Sequence, residues 1–243
     1  MGGCMNLMLR RRAMFGIKKK EENPYISDGL VFWLDAIQQN KKGFTSWIDF
    51  SGNWQLSTNV ESMSGTHSTF IDFYRHSMGF KNQQGVKFIG EISSGFSIEA
   101  IYQPRYTNYN AAIQDTTRSG AQSMLVGFSN SEYFLQANGQ LKLPAGSNIG
   151  TDVFDNSKIM HITWTFDGSS FKRYVDGVND VDTSGNFNTS SLTNAFVLGY
   201  SDWGWHTRLC MNNIRIYSRA LTQAEVTSNY NIDITRFGTE NVL

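Results

Sequence analysis

A chain of 243 residues that is 14% aromatic, with 22 Gly and only 3 Pro, carries enough apolar material for one large core and is not a disordered chain. Charged residues make up 17% and the formal net charge is zero, so the whole molecule has no electrostatic reason to seek nucleic acid. Its two cysteines, Cys4 and Cys210, exclude a disulfide framework, and Cys210 falls in a strand pattern as a small buried thiol.

Charge is concentrated at the start. Residues 1–22 hold six basic side chains against two acids, leaving 15 basic and 19 acidic residues in the remainder, a net of −4. Residues 1–27 are expected to form a basic arm. It is either a short amphipathic helix that docks on a partner or a frayed start. The apolar runs Met5–Leu9 and Ala13–Ile17 are too short for a secretory signal, and no transmembrane run appears. Asn23-Pro24 punctuates the arm, because Pro24 disfavours helix just before it.

From residue 28 to 243 one β-rich domain is expected. Gln122–Phe128 and Tyr133–Gln136 read as a strand pair, and Asn138-Gly139 turns the chain into Gln140–Leu143. Met160, Ile162, Trp164 and Phe166 alternate with His161, Thr163 and Thr165, the period of a strand with one buried face. Asp167-Gly168 and Asp176-Gly177 are turn signals that make an antiparallel meander with Phe171–Val175 and Val178–Val181. Ala195–Tyr200 precedes the last strand pattern. There Ile214 and Ile216 point one way while Arg215 and Tyr217 point the other. Thr222 and Glu225 form a capping box for a short helix expected to fray at Asn229-Tyr230-Asn231. Many short strands and one late helix argue for two packed antiparallel sheets.

The segment Asn212–Val226 resembles the closing strand, turn and helix of laminin-G-like domains, members of the concanavalin A-like lectin/glucanase superfamily. Gly29–Asp35 resembles the opening strand of that family. Trp47, Asp49 and Ser51-Gly52-Asn53 match the segment after it, and Phe96–Tyr102, His161–Gly168 and Tyr174–Gly177 match its middle. The resemblance implies an all-β, concanavalin A-like jelly-roll β-sandwich of two antiparallel sheets with a short C-terminal helix. It also implies recognition of a glycan or cell-surface ligand.

Two loops are candidates for that work. Arg105–Ser119 is long and polar, and its Tyr106, Tyr109 and Asp115 offer stacking faces and hydrogen-bond partners; the alternative is an ordinary solvated loop. Ser201–His206 sets Trp203, Trp205 and His206 beside Asp202, either as a sugar platform or with the indoles folded inward to cap the sandwich. The resemblance raises Ca²⁺ at a loop rim, with Asp115 and Asp202 as candidate ligands. Many relatives carry an acid near the start of the final strand, where this chain has Asn212 and Asn213, which weakens that site. The four His show no metal-ligand spacing.

Lytic members of the superfamily carry two Glu on one strand, spaced to flank a glycosidic bond. Glu99 stands alone on its strand, with Glu91 beyond a turn and Asp49 and Asp72 isolated, so a hydrolase is disfavoured. The expected function is non-catalytic carbohydrate binding or adhesion; the alternative is a structural assembly module without a sugar ligand. Without a recognisable export signal, the expected location is a virion or an extracellular surface. In a phage particle, the arm would dock the module on capsid or tail proteins.

Overall fold

The computed structural model describes residues 23–42, 48–58, 71–72, 78–80, 88, 90–104, 124–129, 132–136, 138–143, 148–155, 157–188, 193–198, 200–201, 205–206 and 209–240. Antiparallel strands dominate. In chain order they are β1 (Leu30–Asp35), β2 (Leu56–Thr58), β3 (Ile71–Asp72), β4 (Met78–Phe80), β5 (Phe96–Pro104), β6 (Met124–Ser129), β7 (Glu132–Gln136) and β8 (Leu141–Lys142). The chain continues through β9 (Asn148–Ile149), β10 (Met160–Phe166), β11 (Ser170–Val175), β12 (Val178–Ser184), β13 (Thr193–Leu198), β14 (Tyr200–Ser201), β15 (Trp205–His206) and β16 (Leu209–Tyr217). Helix α1 (Ala36–Lys42) follows β1, and α2 (Gln223–Phe237) follows β16.

One sheet has the order β1-β16-β5-β10-β11-β12, with β3 also on β16; the second runs β2-β4-β13-β6-β7-β8-β9; β14 pairs β15 alone. A single apolar cluster joins the two large sheets. Phe32, Ile98, Ile162, Trp164, Ile214 and Ile216 of the first meet Leu56, Leu135 and Leu141 of the second. The expected hairpins are present. β6 pairs β7, and β10, β11 and β12 form the meander. Asp176 and Gly177 both take positive φ, 52° and 77°, which is the tight hairpin turn that matches strand twist.

The sandwich interior takes alternate residues of β16. Ile214 and Ile216 face it, while Arg215 and Tyr217 lie on the other face, as the alternation predicts. That other face is not open. All seven residues of β10 are buried, where the sequence suggested one buried face only. The reason is α2, which lies across it. Tyr217, Tyr174, Leu221 and Val226 form one apolar cluster at one end of the helix; Ile101, Ile159 and Phe237 form another at its far end.

The capping box holds as expected. Thr222 Oγ1 accepts from Glu225 N–H at 3.3 Å, and Thr222 N–H donates to Glu225 Oε2 at 2.8 Å. The helix does not fray at Asn229 but continues to Phe237. Its buried residues are Val226, Asn229, Asp233 and Phe237, spaced on one face. Two of these four are polar, so apolar periodicity hid the last two turns. The last residues of the expected arm, from Asn23 on, pack on the domain: Tyr25 is buried and Ile26 N–H donates to Asn229 Oδ1 at 3.1 Å.

Candidate functional site

The strand ends that flank three connections between the sheets share one end of the molecule. Residues 73–77 leave β3, whose Asp72 pairs with Cys210, and enter β4, whose Met78 pairs with Leu198. Residues 105–123 leave Pro104, paired with Leu209, and enter β6, whose Val126 also pairs with Leu198. Residues 199–208 run from Leu198 itself to Leu209 and include the β14–β15 hairpin, with Tyr200 opposite His206 and Ser201 opposite Trp205. All three thus spring from strand ends grouped around Leu209–Cys210 on one sheet and Leu198 on the other.

The strand ends that flank the two candidate loops therefore lie on one rim, although 90 residues or so separate them in sequence. Trp205 and His206 lie in β15. Tyr106, Tyr109, Asp115, Asp202 and Trp203 lie outside the described residues, as does Trp47. Among the described residues no group of three or more His, Cys, Asp or Glu is arranged to hold a metal ion. Asn212 and Asn213, which stand where many relatives are acidic, are fully buried. Asn213 donates to Tyr25 Oη at 2.9 Å and to Asp35 Oδ2 at 3.4 Å, so its amide serves the region under α2 and not the rim.

A second concentration of chemistry lies between the first sheet and α2. Arg215 is fully buried on β16. Its Nε donates to Glu99 Oε2 at 2.7 Å, and its terminal nitrogens grip Asp233 at 2.9 and 2.6 Å. The Tyr25 ring covers the guanidinium 3.8 Å away, and the Tyr25 hydroxyl donates to Asp233 at 2.8 Å. Asn229 of α2 donates to Glu99 and to Tyr217 Oη at 2.8 and 3.0 Å. Arg236 closes the array by pairing with Asp35. Burial pushes the Glu99 carboxyl above the usual range, with Arg215 opposing; burial also raises the Tyr25 and Tyr217 hydroxyls, which stay protonated. The sequence reading noted Glu99 only as an isolated acid and missed this array. Its only signal was a run of polar residues at positions that strand and helix periodicity assign to one interface.

Neither buried carboxylate that sequence alone left open is available for acid–base work on a substrate. Glu99 is 2% exposed and held by Arg215 and Asn229. Asp49 accepts from the backbone N–H groups of Trp33, Ser51, Asn53 and Trp54, each at 3.0 Å, and so fixes the turn before β2 and ties it to β1. Glu91 is exposed on its own.

Among solved structures, the chain is similar to the receptor-binding domain of botulinum neurotoxin C/D mosaic serotype, with a TM-score of 0.62 at 14% identity over 88% of this chain and 55% of that one. It is similar to botulinum neurotoxin type C, whose cell entry depends on interaction with two ganglioside molecules, at TM-score 0.61 and 11% identity over 85% and 52%. It is also similar to the binding domain of Paraclostridial Mosquitocidal Protein 1, at TM-score 0.57 and 18% identity over 87% and 55%. The chain spans about half the length of these structures, and at such identity the likeness is one of fold. No curated protein sequence matches the chain. Among the described residues no helix is long and apolar enough to cross a membrane. The antiparallel strands and closing helix are concanavalin A-like, and a family profile matches residues 81–227, so the chain belongs to the laminin G-type family (Laminin_G_3) of the concanavalin A-like lectin/glucanases superfamily.

Proposed function

We propose that this protein is a non-catalytic glycan-recognition module, a jelly-roll sandwich that binds carbohydrate at the rim where its sheets are bridged. The observation that carries this reading is the common origin of the three connections at Asp72–Met78, Pro104–Met124 and Leu198–Leu209. That common origin supports placing a Tyr- and Asn-rich segment and a Trp-containing hairpin together as one site. Flat aromatic faces stack on sugar C–H groups, and Asn, Gln and Asp bond hydroxyls. The ganglioside dependence of a structurally similar toxin and the sialylated ligand SialylT bound by another supply the glycan class to try first. We assign residues 1–22 as a basic arm that tethers the module to a larger exterior assembly, such as a capsid or tail.

A glycan array that includes ganglioside head groups tests this directly. Binding should appear on sialylated or neutral oligosaccharides and weaken at least about tenfold in Trp203→Ala and Trp205→Ala, the loss of one stacked ring. Tyr106→Ala and Tyr109→Ala should weaken it less. Repeating the array with EDTA and again with added Ca²⁺ assigns or releases Asp115 and Asp202 as ion ligands. A wild-type chain silent across the array would instead favour a rigid assembly block without a sugar ligand. Affinity per site should be weak, because a rim platform buries little area, and arrayed copies would compensate through avidity.

A further inference from the structure

His161 has no part in the rim. It sits at the middle of the interface that holds α2 to the first sheet. Its imidazole is 5% exposed, and neither ring nitrogen meets a well-formed hydrogen-bond partner. It packs edge-on against Tyr230 of α2, with ring centroids 5.1 Å apart at 86°. Glu99, His161, Thr163, Gly177, Tyr230 and Asp233 line a narrow cleft that opens to solvent. The imidazole is therefore buried yet within reach of protons from water.

We propose that His161 is an acid-sensitive clasp: its protonation loosens α2 from the outer face of the first sheet. The geometry sets both the sensitivity and the consequence. A charged imidazolium needs two acceptors, and this interface offers its nitrogens none in good geometry. The groups facing it from each packed element pull in different directions. From α2, Asp233 favours the charge; from the β11–β12 turn, Asp176 does so too; from β16, Arg215 opposes it; and the backbone of Gly238, just past α2, favours it weakly. Glu99 of β5 lines the same cleft but is engaged by Arg215 and Asn229. Lys158 neutralises Asp176 through an ion pair. Burial outweighs these and holds the imidazole below its ordinary value of 6.5.

The unfolded chain then takes up the proton more readily than the folded one. Stability contributed by neutral His161 is present above about pH 6.5 and falls as pH drops beneath it, toward the folded value. Glu99, whose carboxyl is raised, works in the opposite direction, so the effect of His161 must be read as a difference between variants. What is released is defined by contacts. Asn229 of α2 holds Ile26 N–H and Asp233 holds the Tyr25 hydroxyl, so residues 25 and 26 lose those two contacts when the helix loosens, while Asn213 and Arg215 of β16 still hold Tyr25.

Hydrogen exchange of the α2 amides in the intact protein between pH 7.5 and 5 tests the clasp, with rates corrected for intrinsic pH dependence. Wild type should lose protection as pH falls, and His161→Gln should show at least about threefold less loss. Thermal midpoints should follow, with a drop of about 2–4 °C in wild type that His161→Gln removes. The His161 ring in wild type, assigned through its contact with Tyr230, should titrate with a midpoint below 6.5, a reading that needs no variant to fold. A midpoint at or above 6.5, or superposable protection profiles for wild type and His161→Gln, would overturn the proposal.

Discussion

At the scale of single residues, Arg215 decides how the buried charge between the first sheet and α2 is held. Three features surround it: a carboxylate on β5, a carboxylate on α2 and an aromatic ring from the N-terminal segment. A buried ion pair of this kind adds little net stability over apolar packing, but removing one partner strands a charge in a dry place. Asp233→Asn should therefore destabilise by about 3–5 kcal/mol, read from urea unfolding. Tyr25→Phe keeps the ring over Arg215 and loses only the hydroxyl, and should cost about 1–2 kcal/mol. If the two variants lose the same amount, the hydroxyl and not the carboxylate organises the array.

At the scale of elements, α2 is set by its ends and by one polar stripe. Thr222 and Glu225 cap it, and Arg219 grips Glu225 at 2.9 and 2.6 Å. Those contacts, Arg219 foremost, pull the Glu225 carboxyl down to about 2. Thr222→Ala should cost about 1 kcal/mol in thermal or urea unfolding, with little dependence on pH, because the cap bond it removes runs from the Glu225 backbone N–H and the carboxylate keeps the Thr222 N–H. This cap was legible in the sequence because Thr and Glu three residues apart before a helical run have one reading. The alternation of β16 and the Asp-Gly turns were legible for the same reason: the residues that make them are local. What lay hidden depends on partners far away in the chain. Asn229 and Asp233 look like surface residues until Glu99 and Arg215, respectively 130 and 18 positions distant, are set beneath them. His161 and Thr163 look like the wet face of β10 until α2 covers them. Tyr25 was hidden by its setting, since the basic run before it suggested an arm. The candidate loops could be recognised by length and composition, but the common position of the strand ends that flank them needed the pairing of Leu198 with Met78 and Val126 and of Leu209 with Pro104.

At the scale of the whole molecule, the core and the proposed recognition are assigned to different parts. The core lies between the two sheets and beneath α2, whereas the segments proposed to bind begin and end at strand termini. The chain-closure cost of a surface connection depends only weakly on its length. The sheets of a sandwich lie about 10 Å apart, so a flexible linker of roughly eight residues spans from one to the other. Replacing residues 105–123 by such a Gly/Ser linker should leave the thermal midpoint within about 2–4 °C of wild type, equivalent to about 1 kcal/mol. The same variant should lose glycan binding on the array, while acid-dependent loosening of α2 remains as in wild type. A collapse of the midpoint would mean that this segment completes the core, and recognition would then have to be sought in the hairpin of Trp205 and His206 alone. Retained binding with an unchanged midpoint would remove Tyr106, Tyr109 and Asp115 from the site and leave the fold intact, which is why stability and binding must be measured on the same protein.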